Sequence, residues 1–452
     1  MAKKQTKIEG IDLSGQFTGR YLMILPEKLS PANSIKSIQR SIGLQMANSR
    51  DFAGDAFTAN DIQDGIILDR LGIAIINTHG DEAMMKTLSK TRGIGVRSGA
   101  IMERERVVRA LESAEYMKGY NAAIREMKSK MGIDLKQIQS DSFAVSKVLS
   151  QGNTWGLTKT RVVIDGEFIQ KYTGKGIKVC VLDTGIDLNH PDFKNRAIET
   201  KSFVPNQTVQ DAHGHGTHCA GTAVGILNPT KSGLPRYSVA HEANLFVGKV
   251  LSNAGSGADG WILGGINWAL ANKCEVISMS LGGDTDTADF SQVYESAANI
   301  ALSKGSLIIA AAGNSFPSSP AVNHPANCPS IMAVGAVNDS MVKASFSCIG
   351  KFPPAGKVDI AGPGVQIFSS VSKPHKGLSG IGATEIYGNL NGTSMATPHV
   401  AGIAALHAQQ RKTRRGNLLW QRLVTTALPL NQTVSSVGAG LVQAPYTKKA
   451  RR

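Results

Sequence analysis

The chain has 452 residues, of which 42% are hydrophobic and 48 are glycines. This length and composition suit a globular, loop-rich α/β protein with more than one domain, and they exclude the disordered and fibrous classes. The formal net charge of +15 raises nucleic acid as a partner, but basic residues are dense only at the two ends. Without an aromatic-interleaved basic patch or zinc-finger spacing, we interpret the charge as a solvated surface.

The first apolar run, at residues 21–26, is too short for a signal-peptide core or a membrane span. We therefore expect a soluble, cytoplasmic protein that is not exported by the general secretory route. The cysteines are odd in number, widely spaced and without a C-x-x-C pair: Cys180, Cys219, Cys274, Cys328 and Cys348. This pattern favours reduced thiols over a disulfide scaffold or a zinc site, although one bridge between two of them is left open.

Residues 1–107 form a first predicted domain. Apolar periodicity predicts, in order, a strand at 21–25, a helix at 34–44, strands within 66–77, a helix at 81–90 and an extended segment at 94–107. The order β-α-β(β)-α-β is typical of a small ferredoxin-like α+β module. The module carries no recognisable chemistry, so we expect it to act as a partner for another part of the chain.

Residues 108–153 form a predicted connection. An amphipathic helix is expected over 108–132, followed by a polar linker over 133–153 that would be a site for proteolytic cutting.

Residues 154–452 show a different pattern, in which short apolar strands alternate with helices. Strands are predicted at 177–182, 243–251, 275–281, 307–311 and 331–337, and helices at 215–224, 259–272 and 288–304. This alternation predicts a doubly wound α/β domain with a mainly parallel sheet and helices on both faces. Active sites in such domains lie at the carboxyl ends of the strands.

Polar residues with chemical potential follow two of these strands. Asp183 ends the first strand, where it could cap a turn or orient a histidine. Asn314 follows the strand 307–311, where it could be a turn residue or a side-chain N–H donor to an oxyanion.

The segment His213-Gly-His-Gly-Thr-His218 contains three histidines. A metal site is one reading, but no H-E-x-x-H motif occurs. The glycines on both sides of His215 predict a tight loop before a helix, which leaves its ring free as a general base. We interpret His218 as structural and His213 as a surface residue.

Ser394 lies at the start of an Ala-rich helix predicted from Thr393 to about Gln409. Thr393 is a natural N-cap, and Pro398 falls in or just past the first turn. Ser394 could be a second cap, or a nucleophile whose oxyanion is stabilised by the helix N-terminus. With Asp183, His215 and Asn314 upstream, we favour the nucleophile.

These motifs resemble those of the subtilisin-like serine proteases, the subtilases. The aspartate motif is Asp183-Thr-Gly-Ile-Asp, the histidine motif is His215-Gly-Thr-His, and the serine motif is Gly392-Thr-Ser-Met-Ala-Thr-Pro398. The resemblance covers about residues 155–430. It implies a catalytic triad of Asp183, His215 and Ser394, with an oxyanion hole formed by Asn314 and the backbone N–H of Ser394.

The resemblance also implies residues that bind substrate. Two extended segments would hold the substrate backbone as an added β-strand, and small residues would frame the pocket before the cut. These residues are Gly255, Ser256, Gly257, Ser280, Leu281, Gly282, Gly283, Ala311, Ala312 and Gly313, with Asn323 on the far side of the pocket.

By the same resemblance, residues 20–107 would be an inhibitory prodomain that assists folding and is cut away, leaving a fragment that starts near 135–155. No cofactor is needed for the chemistry. Many subtilases bind calcium, and Asp192 lies where one ligand would be, but the longer, basic loop 227–233 does not support that site. Cys219, near His215, could confer sensitivity to thiol reagents or be a buried, inert thiol.

The function predicted from these features is a serine endopeptidase made as an autoinhibited zymogen, acting on protein or peptide substrates. The alternative is a silent peptide-binding protein on a protease fold. A serine esterase of the α/β-hydrolase type would need a G-x-S-x-G motif, which the sequence lacks.

Overall fold

The computed structural model describes residues 7–8, 11–26, 30–52, 64–91, 95, 99–111, 152–164, 168–285, 287–353, 355–373, 375, 378 and 385–448. Most of the predicted connection 108–153 lies outside these residues, as do residues 1–6 and 449–452, which hold most of the basic residues at the two ends.

The N-terminal unit is a sheet covered by two helices. Its elements are β1 (Lys7–Ile8), β2 (Ile11–Asp12), β3 (Phe17–Ile24), α1 (Pro31–Ile42), β4 (Ala47–Asn48), a 3₁₀ turn (Ser49–Phe52), β5 (Gly65–Leu68), β6 (Ile73–Ile76), α2 (Glu82–Lys90) and β7 (Ile101–Ala110). The main elements follow the predicted β-α-β-β-α-β order. Met23, Ile38, Ile67 and Leu88 are buried between the sheet and both helices. Ser30 caps α1 by accepting a hydrogen bond from the Asn33 N–H.

The predicted helix 108–132 is wrong at its start, because β7 continues to Ala110. Val107 and Val108 are β-branched, which favours an extended backbone. Both pair with β12, the next two residues of β7, Arg109 and Ala110, pair with β14, and β3 pairs with β7 up to Arg106. The remainder of that predicted helix, from Glu112 onward, lies outside the described residues.

The C-terminal unit is built around a second sheet. Its elements are α3 (Trp155–Lys159), β8 (Phe168–Ile169), β9 (Lys178–Asp183), β10 (Glu199–Ser202), α4 (His215–Val224), β11 (Asn244–Lys249), β12 (Ser256–Ala258), α5 (Asp259–Ala271), β13 (Val276–Met279), β14 (Leu281–Gly282), α6 (Gln292–Ser303), β15 (Leu307–Ala311), β16 (Met332–Val337), β17 (Ile360–Pro363), β18 (Ile367–Ser370), β19 (Tyr387–Leu390), α7 (Thr393–Gln410), α8 (Gly416–Thr426), α9 (Val434–Val437) and β20 (Thr447–Lys448).

Seven parallel strands form this sheet in the order β10-β11-β9-β13-β15-β16-β17. Alternate residues of β9 point to opposite faces, so Val179 and Val181 pack in the core with α4 and α7, and Cys180 and Leu182 in the core with α5 and α6. The predicted fold class, a doubly wound parallel sheet with helices on both faces, is confirmed. The two edge strands, β10 and β17, were not predicted, because neither contains an unbroken apolar run.

None of the described helices is both long and apolar enough to cross a bilayer. All five cysteines are buried free thiols in this structure.

Candidate active site

Asp183 and His215 form a buried pair at the carboxyl edge of the central sheet. Asp183 is the last residue of β9 and His215 is the first residue of α4. The Nδ1 atom of His215 lies 2.7 Å from Oδ1 of Asp183, and neither side chain is exposed. Burial alone would lower the pKa of His215, but the charge and hydrogen bond of Asp183 raise that pKa well above its usual value. Asp183 therefore orients the ring and stabilises its protonated form.

Asp211 fixes the loop that leads into His215, and sequence reasoning missed it. Its Oδ1 atom accepts hydrogen bonds from the backbone N–H of Gly214, at 2.8 Å, and from the hydroxyl of Thr184, at 3.0 Å. Thr184 Oγ1 in turn accepts from the Gly216 N–H at 2.8 Å. Gly214 has φ of 104°, a left-handed conformation that favours glycine. The carboxylate thus holds the aspartate turn and the histidine loop together.

Helix α7 presents Ser394 in its first turn. The N-cap is Gly392 and not Thr393, so the predicted cap is wrong by one residue. Pro398 lies in the second turn, where it lacks the N–H that would bond to the carbonyl of Ser394. That carbonyl oxygen accepts instead from the Ser280 hydroxyl, at 2.8 Å, and from the Cys219 thiol, at 3.5 Å. These tertiary contacts tie the start of α7 to α4 and to the segment before β14.

Ser394 and His215 are not hydrogen-bonded to each other in this structure. The Ser394 hydroxyl donates to the carbonyl oxygen of Ser280 at 3.1 Å, and His215 Nε2 has no partner among the described residues. Cys219 contacts both residues, with its Sγ 3.9 Å from His215 Nδ1 and 3.5 Å from the Ser394 carbonyl oxygen. Loose nucleophile–base geometry is common in enzymes without bound substrate, so the arrangement is compatible with a base and a nucleophile in one pocket.

Asn314 points its amide nitrogen into the cleft. Its Oδ1 atom accepts hydrogen bonds from the Thr393 backbone N–H, at 2.8 Å, and from the Thr393 hydroxyl, at 2.9 Å. Because the oxygen is used in this way, Nδ2 is left to donate, and it does so to the carbonyl oxygen of Leu111 at 2.6 Å. Asn314 therefore caps α7 and offers a donor beside Ser394.

Two short strands at the rim of the cleft hold β7 between them. Gly257 of β12 pairs antiparallel with Val108, and Gly282 of β14 pairs with Arg109 from the opposite side. The N–H of Ala110 donates to the Gly255 carbonyl at 2.8 Å. All of the predicted backbone-binding residues, namely Gly255, Ser256, Gly257, Ser280, Leu281, Gly282 and Gly283, lie in or beside these strands. They therefore contact an extended chain, which here is the end of β7.

The side chain of Leu111 lies against Gly282, one of the predicted substrate-binding residues. A Cβ on Gly282 would come 3.2 Å from Leu111 Cδ1, and a Cβ on Gly313 would come 2.5 Å from Asn323 Cγ, so both glycines keep the pocket open. Asn323 is fully buried, and its Nδ2 donates to Asp284 Oδ1 at 3.0 Å. Ala311 and Ala312, at the end of β15, are buried in the cores of the domain.

The remaining two histidines of the motif have different surroundings. His218 is buried and its Nε2 donates to the Ile367 carbonyl at 2.9 Å, and burial lowers its pKa to about 3, in line with a structural role. His213 was expected at the surface, but it is buried beside the cleft, and burial lowers its pKa to about 4. The expectation is wrong because the buried Asp211 accepts a hydrogen bond from the His213 N–H and so holds this part of the loop against the protein.

One set of potential metal ligands coincides with this pocket. Asp183, His215 and Cys219 offer ligand atoms within 4.8 Å of one another. However, Nδ1 of His215 already bonds to Asp183, and burial raises the pKa of the Cys219 thiol to about 11, which opposes the thiolate form that metals require. The donor set therefore suits proton transfer better than metal binding.

Asp192, the candidate calcium ligand, is surrounded by hydrogen-bond donors. Its Oδ2 atom accepts from the Tyr237 hydroxyl at 2.5 Å, and its Oδ1 atom accepts from the Tyr387 hydroxyl at 3.0 Å and from the Thr230 N–H at 2.8 Å. A calcium site needs converging oxygen acceptors. These residues fit a hydrogen-bonded carboxylate and do not fit a calcium ligand.

Two glutamates of β7 cap helices of the C-terminal unit. Glu105, which is fully buried, accepts from the Gly260 N–H at 2.8 Å at the start of α5 and pairs with Arg20 at 2.6 Å. Glu103 accepts from the Gln292 N–H at 2.6 Å at the start of α6. Carboxylates are favourable at helix N-termini, so these contacts stabilise the docking of β7.

Comparison with known proteins gives one consistent result. Residues 174–440 match the sequence model of the subtilase family. Over 330 residues the chain is 38% identical to Subtilisin E of Bacillus subtilis, covering 71% of this chain and 79% of that protein. It is 42% identical to Subtilisin of Bacillus pumilus over 277 residues, covering 60% of this chain and 91% of that protein. Among solved structures, a cold adapted subtilisin-like serine proteinase matches with a TM-score of 0.52 and 30% identity, over 65% of this chain and 99% of that one.

Proposed function

Because the chain belongs to the subtilase family of serine peptidases, we propose that it is a serine endopeptidase that acts through Asp183, His215 and Ser394. The observation that carries this proposal is the buried Asp183–His215 pair beside Ser394 in the first turn of α7. Protein or peptide chains are the substrate class, since the cleft already accommodates an extended strand between β12 and β14.

In the proposed reaction, the Ser394 hydroxyl turns from the Ser280 carbonyl to His215 Nε2, which takes its proton as Oγ attacks the scissile carbonyl. Asp183 stabilises the imidazolium that results. Asn314 Nδ2 and the N–H groups at the start of α7 stabilise the oxyanion of the tetrahedral intermediate. His215 then protonates the leaving amine, and water hydrolyses the acyl-enzyme by the same path. These steps use side-chain and backbone groups of the chain itself and need no cofactor.

We further propose that the N-terminal unit is an inhibitory prodomain, which makes the full chain a zymogen. The support is that β7 fills the backbone-binding segments on both sides and that Glu103 and Glu105 anchor it to two helices. A competing substrate must displace this strand, so the full chain would be inhibited until the unit is removed.

The bond proposed for self-cleavage is Leu111–Glu112. Among the described residues at the end of β7, only Leu111 has a carbonyl oxygen that accepts a hydrogen bond from the Asn314 amide. The N–H of Leu111 donates to the Ser280 carbonyl at 3.4 Å. This bond lies within the predicted processing region 108–153. The new N-terminus near 135–155 that the sequence predicts would then need a second cut.

The test is incubation of the purified full chain with a fluorophosphonate probe, followed by gel analysis and N-terminal sequencing. We expect labelling of Ser394 and a fragment that starts at Glu112. Ser394→Ala should give one full-length, unlabelled band, whereas Ser303→Ala, an exposed serine at the end of α6, should behave as the wild type.

Labelling without a cut at Leu111–Glu112 would support the peptidase and reject the proposed bond. Failure of the folded protein to be labelled, even after the N-terminal unit has been removed by limited proteolysis, would reject the peptidase and favour a silent peptide-binding protein. For localisation, we propose a reducing compartment such as the cytoplasm, supported by the five free thiols.

A further inference from the structure

A second polar cavity lies at the far end of the helix that carries Ser394. It has a volume of about 200 Å³ and is enclosed by the last turns of α7, by α8, by the turn after α3 and by the segment 443–446. His407, in its wall, is thirteen residues beyond Ser394, which corresponds to roughly 20 Å along the helix. The cavity is thus separate from the catalytic cleft.

Its wall contains buried polar atoms with no hydrogen-bond partner among the described residues: Arg422 Nε, Gln443 Oε1 and His407 Nδ1. His407 is fully buried and Gln443 is 4% exposed. Since His407 Nε2 faces the Gln443 carbonyl at 3.0 Å, that nitrogen carries the proton and Nδ1 is an acceptor. The cavity therefore offers one donor and two acceptors that are costly to leave unpaired.

The charge on the described lining of the cavity is positive. Arg161 and Arg422 line it, and its described lining contains no carboxylate. Burial, together with the charges of Arg422 and Arg414, lowers the pKa of His407 to about 4. Burial and the charges of Arg422 and Arg411 also lower the pKa of Arg414. A bound anion would relieve this repulsion.

We propose that this cavity binds a protonated tetrahedral oxyanion of the hydrogen phosphate class. The guanidinium groups of Arg161 and Arg422 donate to its oxygens, as arginine does at phosphate sites. Its P–OH group donates to Gln443 Oε1 or to His407 Nδ1, which a sulfate ion, with no proton at neutral pH, cannot do. The site therefore prefers phosphate to sulfate.

Occupancy would join three parts of the chain that are distant in sequence. Arg161 follows α3, Arg422 belongs to α8, and Gln443 precedes the C-terminal strand β20. A ligand that binds only the folded state raises stability in proportion to the logarithm of its concentration. We therefore expect phosphate to stabilise this protein, independently of whether it is a peptidase.

The test is thermal unfolding of full-length Ser394→Ala protein at pH 7, which avoids self-digestion. Sodium phosphate, sulfate and chloride are titrated at constant ionic strength. Above its Kd, we expect phosphate to raise Tm by about 1–2 °C for each tenfold increase in its concentration, with a smaller effect of sulfate and none of chloride. A parallel titration with phenyl phosphate tests whether the cavity also binds a phosphomonoester. A rise in Tm would show that it does, and no rise would restrict the cavity to the free ion.

Arg422→Gln and Arg161→Gln, each in the same background, should abolish the phosphate-specific rise. Arg40→Gln is the matched control, since it removes the same charge from an exposed position of α1 that is not part of the lining. Equilibrium dialysis of the otherwise unaltered Ser394→Ala chain with radiolabelled phosphate should give one bound phosphate per chain, whatever the folding of the variants. Three results would overturn the proposal. Phosphate and chloride could stabilise the protein equally, the effect of phosphate could survive in both cavity variants, or stabilisation could occur without stoichiometric binding.

Discussion

The ammonium group of Lys249 donates a hydrogen bond to the backbone carbonyl oxygen of Thr184, the residue that follows Asp183. Lys249 is fully buried and is paired with Asp183 in the register of β11 and β9. Its cation also faces Asp211, whose pKa is lowered by Lys249 against the opposing effect of burial. The buried charges near His215 are therefore two carboxylates and one ammonium, with His213 held neutral beside them by its low pKa.

We predict that Lys249→Met moves the acid limb of the kcat/KM profile to higher pH. Asp183 raises the pKa of His215, and the Lys249 cation interacts with the same carboxylate. We expect this cation to oppose the effect of Asp183, because a nearby cation disfavours the imidazolium. Without the cation the pKa of His215 rises further, so a smaller fraction of His215 is unprotonated at each pH on the acid side of the profile. Peptide hydrolysis measured from pH 5 to 9 should fall a few-fold on the acid side only. Lys304→Met, at an exposed position, should leave the limb in place, and an unmoved limb in both variants would contradict the electrostatic role.

The same lysine should make stability depend on pH at the alkaline end. Burial lowers its folded-state pKa from 10.5 to about 8, so between these values the unfolded chain binds more protons than the folded one. The free energy of unfolding should therefore rise with pH across this window because of Lys249. Urea unfolding of Ser394→Ala protein, with and without Lys249→Met, measures the effect as a difference that grows from pH 8 to pH 10.5. A constant difference would show that Lys249 keeps its proton throughout.

The sequence predicted Asp183, His215, Asn314 and Ser394 because each has a local signal: a strand end, a glycine-flanked loop or a helix start. Parallel strands place such ends at one edge of the sheet, so the site could be assembled without coordinates. Lys249 and Asp211 have no such signal, since their partners are defined only by the register of β11 with β9 and by the fold of the loop.

β7 shows a second limit of sequence reasoning. The pattern after Val108 is amphipathic, and periodicity alone favoured a helix there. The extended form prevails because β12 and β14, which are distant in sequence, satisfy its backbone groups on both sides of the cleft. Likewise, no spacing rule predicts the contacts of Tyr237 and Tyr387 with Asp192.

We predict that Asn314→Ala lowers kcat by about 10²–10³-fold with little change in KM, the size of loss established for this oxyanion-hole residue in a subtilisin. The variant also loses the acceptor for the Thr393 N–H, which should cost about 0.5–2 kcal/mol of stability, as for other helix caps. Steady-state kinetics and urea unfolding separate the two effects. Asn299→Ala, at an exposed position of α6, is the control, and a raised KM at constant kcat would assign Asn314 to ground-state binding instead.

We predict that Cys219 is inert towards alkylating reagents. Of the two alternatives that the sequence left open, sensitivity to thiol reagents and a buried, inert thiol, this prediction favours the second. Its side chain is fully buried, and burial raises its pKa to about 11 although His215 acts in the opposite direction. At pH 8 only about one thiol in a thousand would be ionised, and alkylation requires the accessible thiolate. Incubation of the native protein with iodoacetamide should therefore leave the rate of fluorophosphonate labelling at Ser394 unchanged, with Cys219 unmodified by mass spectrometry. Cys219→Ala should show the same resistance. Loss of labelling in the wild type, with protection in Cys219→Ala, would instead show that the pocket opens and exposes a reactive thiol beside the catalytic histidine.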